Sequence, residues 1–127
     1  MRTFSIEGRA KSPAVFINES GRVVEISGNS TLKEANWFYS NVLKWILAFN
    51  TGSRKTQVID IRLRQINDSS VKWILLILKK LESLIPAANF EINWYLTGGS
   101  RRAVMCARTL KSHSVFRVNL LSEQRDY

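Results

Sequence analysis

Covalent cross-links and acid–base groups are scarce in this chain of 127 residues, which has one cysteine, one histidine and two prolines. A single thiol, Cys106, cannot close an internal disulfide, so it reads as a small buried apolar side chain in a reducing compartment. No apolar run approaches the roughly 18 residues that a membrane span requires, and no stretch pairs an apolar segment with a cleavage site. A soluble, cytoplasmic protein is expected. His113 falls in Lys111-Ser112-His113-Ser114, read as a turn, with no cysteine or carboxylate spaced to make a triad or a metal site with it. Gly98-Gly99-Ser100 is too short for a phosphate-binding loop, and Asp60 on a strand is a solvated or paired residue rather than a general base. No enzyme, cofactor or metal is expected.

Acid is the other shortage. Nineteen Lys and Arg face ten Asp and Glu, a formal charge of +9, and no carboxylate lies between Glu91 and Glu123, an interval holding Arg101, Arg102, Arg108, Lys111 and Arg117. Such a balance attracts acidic proteins, nucleic acid or anionic lipid. The cations are scattered rather than packed into a short tract, and no nucleic-acid motif accompanies them. A basic nucleic-acid or anionic-surface module using Arg101, Arg102, Arg108 and Lys111 is therefore the rival reading, not the leading one.

What is present is a chain of alternating and helical apolar periods without repeats or linkers, suited to one domain over 1–127 with a single core. Residues 1–12 form a lead-in able to add an edge strand through Phe4 and Ile6. Ala14-Val15-Phe16-Ile17 and Arg22-Val23-Val24-Glu25-Ile26 flank the turn formers Asn18-Glu19-Ser20-Gly21 and predict a hairpin. Gly28-Asn29-Ser30 reads as a break, and the spacing of Thr31 and Glu34 predicts a capping box opening the first helix. Ala35, Phe38, Tyr39, Val42, Ile46 and Phe49 recur at helical spacing as its buried face, Trp37 and Leu47 point elsewhere, and Thr51-Gly52-Ser53 ends it.

A strand over 56–66 follows, then a second helix from Ser70 to about Ile85 stopped by Pro86. Phe90 to Leu96 alternates as a strand, residues 101–111 form a basic helix on Ala103, Val104, Ala107 and Leu110, and Val115 to Leu120 is a last strand. Ser122 to Tyr127 is a polar, loose tail. The order ββαβαβαβ predicts an α/β fold, one mixed sheet flanked by helices with right-handed crossovers.

The junction Ile66-Asn67-Asp68-Ser69-Ser70-Val71-Lys72 carries the chemistry. An acid and two hydroxyls sit where a strand gives way to a helix, whose first turn has free N–H groups and a partial positive charge. Asp68 or Ser69 serves there as an N-cap, and a phosphoryl group on either serine would be held by the same donors while adding a charge of roughly −1.5 to −2. In the second helix Ile74, Ile77, Leu78, Leu81 and Ile85 complete a buried face. Leu76 is left among Lys72, Lys79, Lys80 and Ser83, as an apolar anchor in a basic rim would be, with Trp73 at the border.

Ser12-Pro13-Ala14-Val15, Gly21, Ile26-Ser27-Gly28-Asn29-Ser30, Phe38-Tyr39, Trp45-Ile46, the junction at 66–72 and Ile92-Asn93-Trp94-Tyr95 together resemble the SiaC family of bacterial regulatory phosphoproteins. The resemblance spans about residues 12–96 and implies a STAS-like fold and partner switching. A Ser/Thr kinase phosphorylates such a protein, a PP2C-type phosphatase reverses the reaction, and the unmodified form binds a target, in one branch a diguanylate cyclase that it activates in c-di-GMP signalling. The family's phosphoacceptor threonine is replaced here by Asp68. Either Asp68 imitates the phosphorylated state, or acceptance moves to Ser69, which the Asp-Ser-Ser signature of STAS antagonists favours, or to Ser70. The candidate partner contacts are Asn67, Lys72, Trp73, Leu76, Lys79, Arg101 and Arg102. The family's acidic segment after Trp94-Tyr95 is replaced by Arg101, Arg102 and a basic helix, which implies a changed, acidic partner surface.

Overall fold

A computed structural model describes residues 3–18, 22–49, 56–96, 98–114 and 116–122. The strands are β1 (Phe4–Ile6), β2 (Ala14–Ile17), β3 (Val23–Ser30), β4 (Gln57–Ile66), β5 (Phe90–Tyr95) and β6 (Arg117–Leu121). The helices are α1 (Ala35–Phe49), α2 (Asp68–Leu84) and α3 (Arg101–His113), with a 3-10 turn at Ala87–Asn89 between α2 and β5. The predicted order holds, and the lead-in does supply an edge strand.

The six strands form one mixed sheet in the order β1-β2-β3-β4-β5-β6. The first two pairings are antiparallel and the other three parallel. Because each parallel strand is laid down beside its predecessor in one direction, right-handed crossovers put α1, α2 and α3 on the same face. Burial follows that geometry. Along β4, Ile59, Ile61 and Leu63 are buried while Val58, Asp60 and Arg62 on the other face are only half-buried. The covered side holds Tyr39, Val42 and Ile46 of α1, Ile74, Ile77 and Leu81 of α2, and Ala103, Cys106, Ala107 and Leu110 of α3.

The uncovered side carries a polar row in register across four strands, Glu25, Asp60, Asn93 and Asn119. Asn93 donates to Asp60 at 3.0 Å, and Asn119 donates to Asn93 at 2.8 Å and to Glu91 at 2.6 Å. These amides satisfy one another, so a half-wet sheet face needs no covering layer.

Several boundaries differ from expectation for local physical reasons. The supposed break at Gly28-Asn29-Ser30 is strand: β3 continues with Gly28 at φ +107°, and the ladder slips there, Gly28 opposing Leu63 but Asn29 opposing Gln65. Glycine reads as a break in sequence, yet here it serves a bulge. No capping box opens α1, because the helix begins at Ala35, four residues after Thr31, and its first reaching bond is Phe38 N–H to the Glu34 carbonyl at 3.3 Å. Lys111, Ser112 and His113 are the last turn of α3 rather than a separate turn. Trp37 and Leu47 are exposed as expected. The hairpin turn at 19–21, the end of α1 at 50–55 and the tail at 123–127 lie outside the described residues.

Candidate functional site

The start of α2 is fixed by its cap. Asn67, not Asp68 or Ser69, is the N-cap: its side-chain carbonyl accepts the Ser70 N–H at 3.0 Å and its amide donates to the Leu32 carbonyl at 2.8 Å. One side chain thereby closes the helix and ties it to the β3–α1 connection. The Asn67 N–H in turn donates to the Ser30 carbonyl at 2.9 Å. Asn was always an equal candidate for the cap on propensity, and the acid beside it concealed this.

With the cap at Asn67 the next three side chains fan out by about 100° each. Asp68 and Ser69 are exposed, and Ser70 turns inward with no exposed surface. Its hydroxyl meets Ser30 Oγ at 2.8 Å, and Ser30 is also bonded to the Tyr39 hydroxyl. Ser30, Tyr39 and Ser70 are all fully buried. Burial pushes the Tyr39 phenol up to about 12, partly offset by the Ser30 and Ser70 hydrogen bonds. The N–H groups of Asp68 and Ser69 have no acceptor among the described residues, so the positive end of the helix is open where the exposed serine stands.

Asp68 reaches across to α3, where Arg102 Nη1 lies 2.7 Å from its carboxylate, both side chains being largely exposed. Ser100 starts α3 by capping the Ala103 N–H at 3.2 Å, and its own N–H donates to the Arg64 carbonyl at 2.6 Å. The two helix N-termini are thus held side by side. Between the helices lies a groove of about 580 Å³ with Val71, Leu75, Met105 and Cys106 among its walls and Asp68, Arg101 and Arg102 at one end.

The expected contact residues divide. Asp68, Arg101 and Arg102 meet at the groove. Leu76 is 52% exposed on the outside of α2, with Lys72 and Lys79 also exposed. Trp73 is half-buried and its indole N–H donates to Asn36 of α1, so it joins two helices as well as edging the surface. Sequence reasoning missed Ser30 and Tyr39, which hold Ser70, and Met105, which is 59% exposed. Met105 had a readable signal: like Leu76, it is the apolar residue left over when its helix's buried face is complete.

The class is a mixed α/β layer with an exposed hydroxyl at an open helix N-terminus, and among the described residues no Asp, Glu, His and Cys cluster is placed to hold a metal. The family model for SiaC family regulatory phosphoproteins matches residues 6–123, and the chain belongs to that family. The structure is similar to apo-SiaC from Pseudomonas aeruginosa, with a TM-score of 0.80 at 23% identity over 96% of this chain and 100% of that one. It is also similar to a second structure of Pseudomonas aeruginosa SiaC, with a TM-score of 0.82 at 21% identity over 97% and 100%. A chain in the crystal structure of the Pseudomonas aeruginosa diguanylate cyclase SiaD in complex with its activator SiaC matches with a TM-score of 0.81 at 21% identity, over 94% and 99%. No curated protein matches the chain. Among the described residues no helix is long and apolar enough to cross a membrane.

Proposed function

We propose that this protein is a non-catalytic partner switch in which phosphorylation of Ser69 controls docking of a target at the α2–α3 surface. The observation that carries the reading is the division of the two serines: Ser69 stands in water at a helix N-terminus with free N–H donors, whereas Ser70 is sealed in a hydroxyl cluster. A kinase needs the former. Phosphate at Ser69 adds about two negative charges at the residue next to Asp68, whose carboxylate is paired with Arg102 at the end of the groove, and so changes the charge of the rim. A Ser/Thr kinase and a PP2C-type phosphatase would set and reset it in the cytoplasm.

The target proposed is a protein of the diguanylate cyclase type, by analogy with the complex of SiaD and SiaC, with Asn67, Lys72, Trp73, Leu76, Lys79, Arg101 and Arg102 as contacts or supports of contacts. The surface fits an acidic partner with an apolar patch, since Leu76 and Met105 stand among lysines and arginines. Asp68, with one charge and a short side chain, is a weaker imitation of a phosphate and leaves the switch to its neighbour.

Incubation with its cognate Ser/Thr kinase and ATP tests it. One phosphate is expected by intact mass, lost in Ser69→Ala and retained in Ser70→Ala, with Ser69→Glu weakening target binding at least about tenfold. No added phosphate, together with parental binding by Ser69→Glu, excludes the switch. A polyanion reading is disfavoured because Arg102 is paired with Asp68 and Lys111 is held by the Val118 carbonyl at 2.9 Å.

A further inference from the structure

The outer surface of α1 and α2, on the side away from α3, takes no part in the α2–α3 groove, yet it carries apolar side chains from one end to the other. Trp37 is 68% exposed, the most of any large apolar residue among those described. Both helices return the chain between parallel strands, so they run in the same direction, and the bond from the Trp73 indole to Asn36 sets them level. Eleven residues on from each, from 36 to 47 and from 73 to 84, or about three turns, Leu47 and Leu84 reach the same seam, and both are exposed. Leu76 stands on the crest of α2 between them and is exposed too. The strip is thus about 16 Å long. Single exposed apolar residues are ordinary, but a set gathered on one face marks a contact surface, and tryptophan is prominent among the residues that anchor one. The turn that presents Trp37 is braced, since its carbonyl accepts the Ser40 hydroxyl at 3.2 Å and the Asn41 amide at 2.7 Å.

Charge and the place of Ser69 decide what covers this face. α1 holds no carboxylate, and both of those in α2, Asp68 and Glu82, line the side toward α3. The face keeps Lys44, Lys72 and Lys80, all exposed, so it fits an acidic protein surface with an apolar contact. Ser69 heads the same strip. It lies one turn before Trp73, and residues so spaced share a side of the helix, whereas Asp68, one residue earlier, turns to Arg102 of α3. Phosphoryl transfer needs the donor in line with the acceptor hydroxyl, so an enzyme that reaches Ser69 also covers the start of the α1–α2 face. We propose that this face is the docking surface of the kinase that modifies Ser69, anchored on Trp37, and that the α2–α3 groove is left to the target. This assignment rests on Ser69 being the phosphoacceptor.

Steady-state phosphorylation by the cognate Ser/Thr kinase, with the full-length chain as the varied substrate, tests the proposal. Trp37→Ser should raise KM for the chain at least about tenfold while kcat stays within about threefold, the pattern of lost binding rather than lost chemistry. Lys44→Glu should raise KM more at low salt than at high, as a lost charge contact does. Both side chains are exposed, so the urea midpoints of the two variants should stay parental. Met105→Ser, on the wall of the α2–α3 groove, should leave KM within about threefold. A parental chain that takes phosphate at Ser69 while Trp37→Ser and Lys44→Glu keep its KM overturns the docking face and leaves the Ser69 reading standing. A rise in KM as large for Met105→Ser as for Trp37→Ser overturns the division between the two surfaces, and a parental chain that takes no phosphate at Ser69 overturns the docking face and the reading together.

Discussion

Ser69 and Ser70 are chemically identical and one position apart, and a rotation of the helix gives them opposite roles. Replacing Ser70 by Ala takes from the buried Ser30 hydroxyl the acceptor it donates to, leaving Ser30 and Tyr39 only each other, so it should cost about 1–3 kcal/mol in urea unfolding, the penalty for an unmet buried polar group. Ser69→Ala, on the water side, should stay within about 0.5 kcal/mol. Equal costs would mean that the hydroxyl cluster does not hold the turn. The same cluster sets an alkaline limit. The Tyr39 phenol rises from 10.0 to about 12 in the fold, and the Cys106 thiol, pushed up by burial, from 9.0 to about 11. Both groups ionise in the unfolded chain first. Their contribution is therefore full below pH 9 and declines as pH climbs through 9–12, and Tyr39→Phe should make the upper part of that decline shallower in a denaturation series against pH. Both serines are legible in the sequence as hydroxyls at a helix start, but which of them is buried is not, because Ser30 and Tyr39 lie 40 and 31 positions from Ser70 and no local pattern joins them.

At the level of elements, the period-two and helical spacings located every strand and helix that joins the described core, because burial imposes those periods. What they could not locate was how an element ends. Gly28-Asn29-Ser30 has the composition of a turn and the structure of a bulged strand, since its pairing is decided by β4, some 35 residues later. With φ at +107°, Gly28 sits where side chains are strained, while an added Cβ would meet only ordinary contact, with Pro13 at 3.9 Å. Gly28→Ala should therefore destabilise by about 1–3 kcal/mol through conformation rather than clash, readable as a lower urea midpoint at unchanged slope. The Asp68–Arg102 bridge between α2 and α3 works differently. Both side chains are wet, so Arg102→Ala should change stability by no more than about 1 kcal/mol. Its value is positional: it joins the first turn of α2 to that of α3 at the end of the groove.

Across the whole molecule, stacking all three helices on one side of the sheet gathers Lys72, Lys79, Lys80, Arg101, Arg102, Arg108 and Lys111 into a single layer that also exposes Leu76 and Met105. The charge excess was plain from composition, and the helices that carry it were readable. Their assembly into one face was not, because it follows from a strand order that runs without reversal, which only pairing reveals. That assembly makes a kinetic prediction for the proposed target. A basic layer meeting an acidic surface should associate quickly at low salt and lose much of that advantage as the Debye length falls from about 10 Å at 0.1 M to about 3 Å at 1 M. Stopped-flow association measured across that range should show the on-rate dropping at least about tenfold while the off-rate, governed by the apolar contacts, changes much less. Ser69→Glu should lower the on-rate at low salt and Leu76→Ala should raise the off-rate, because the first alters the field and the second the packing. Were salt to act on the off-rate alone, the basic layer would be a solvated surface and the docking face would lie elsewhere on the molecule.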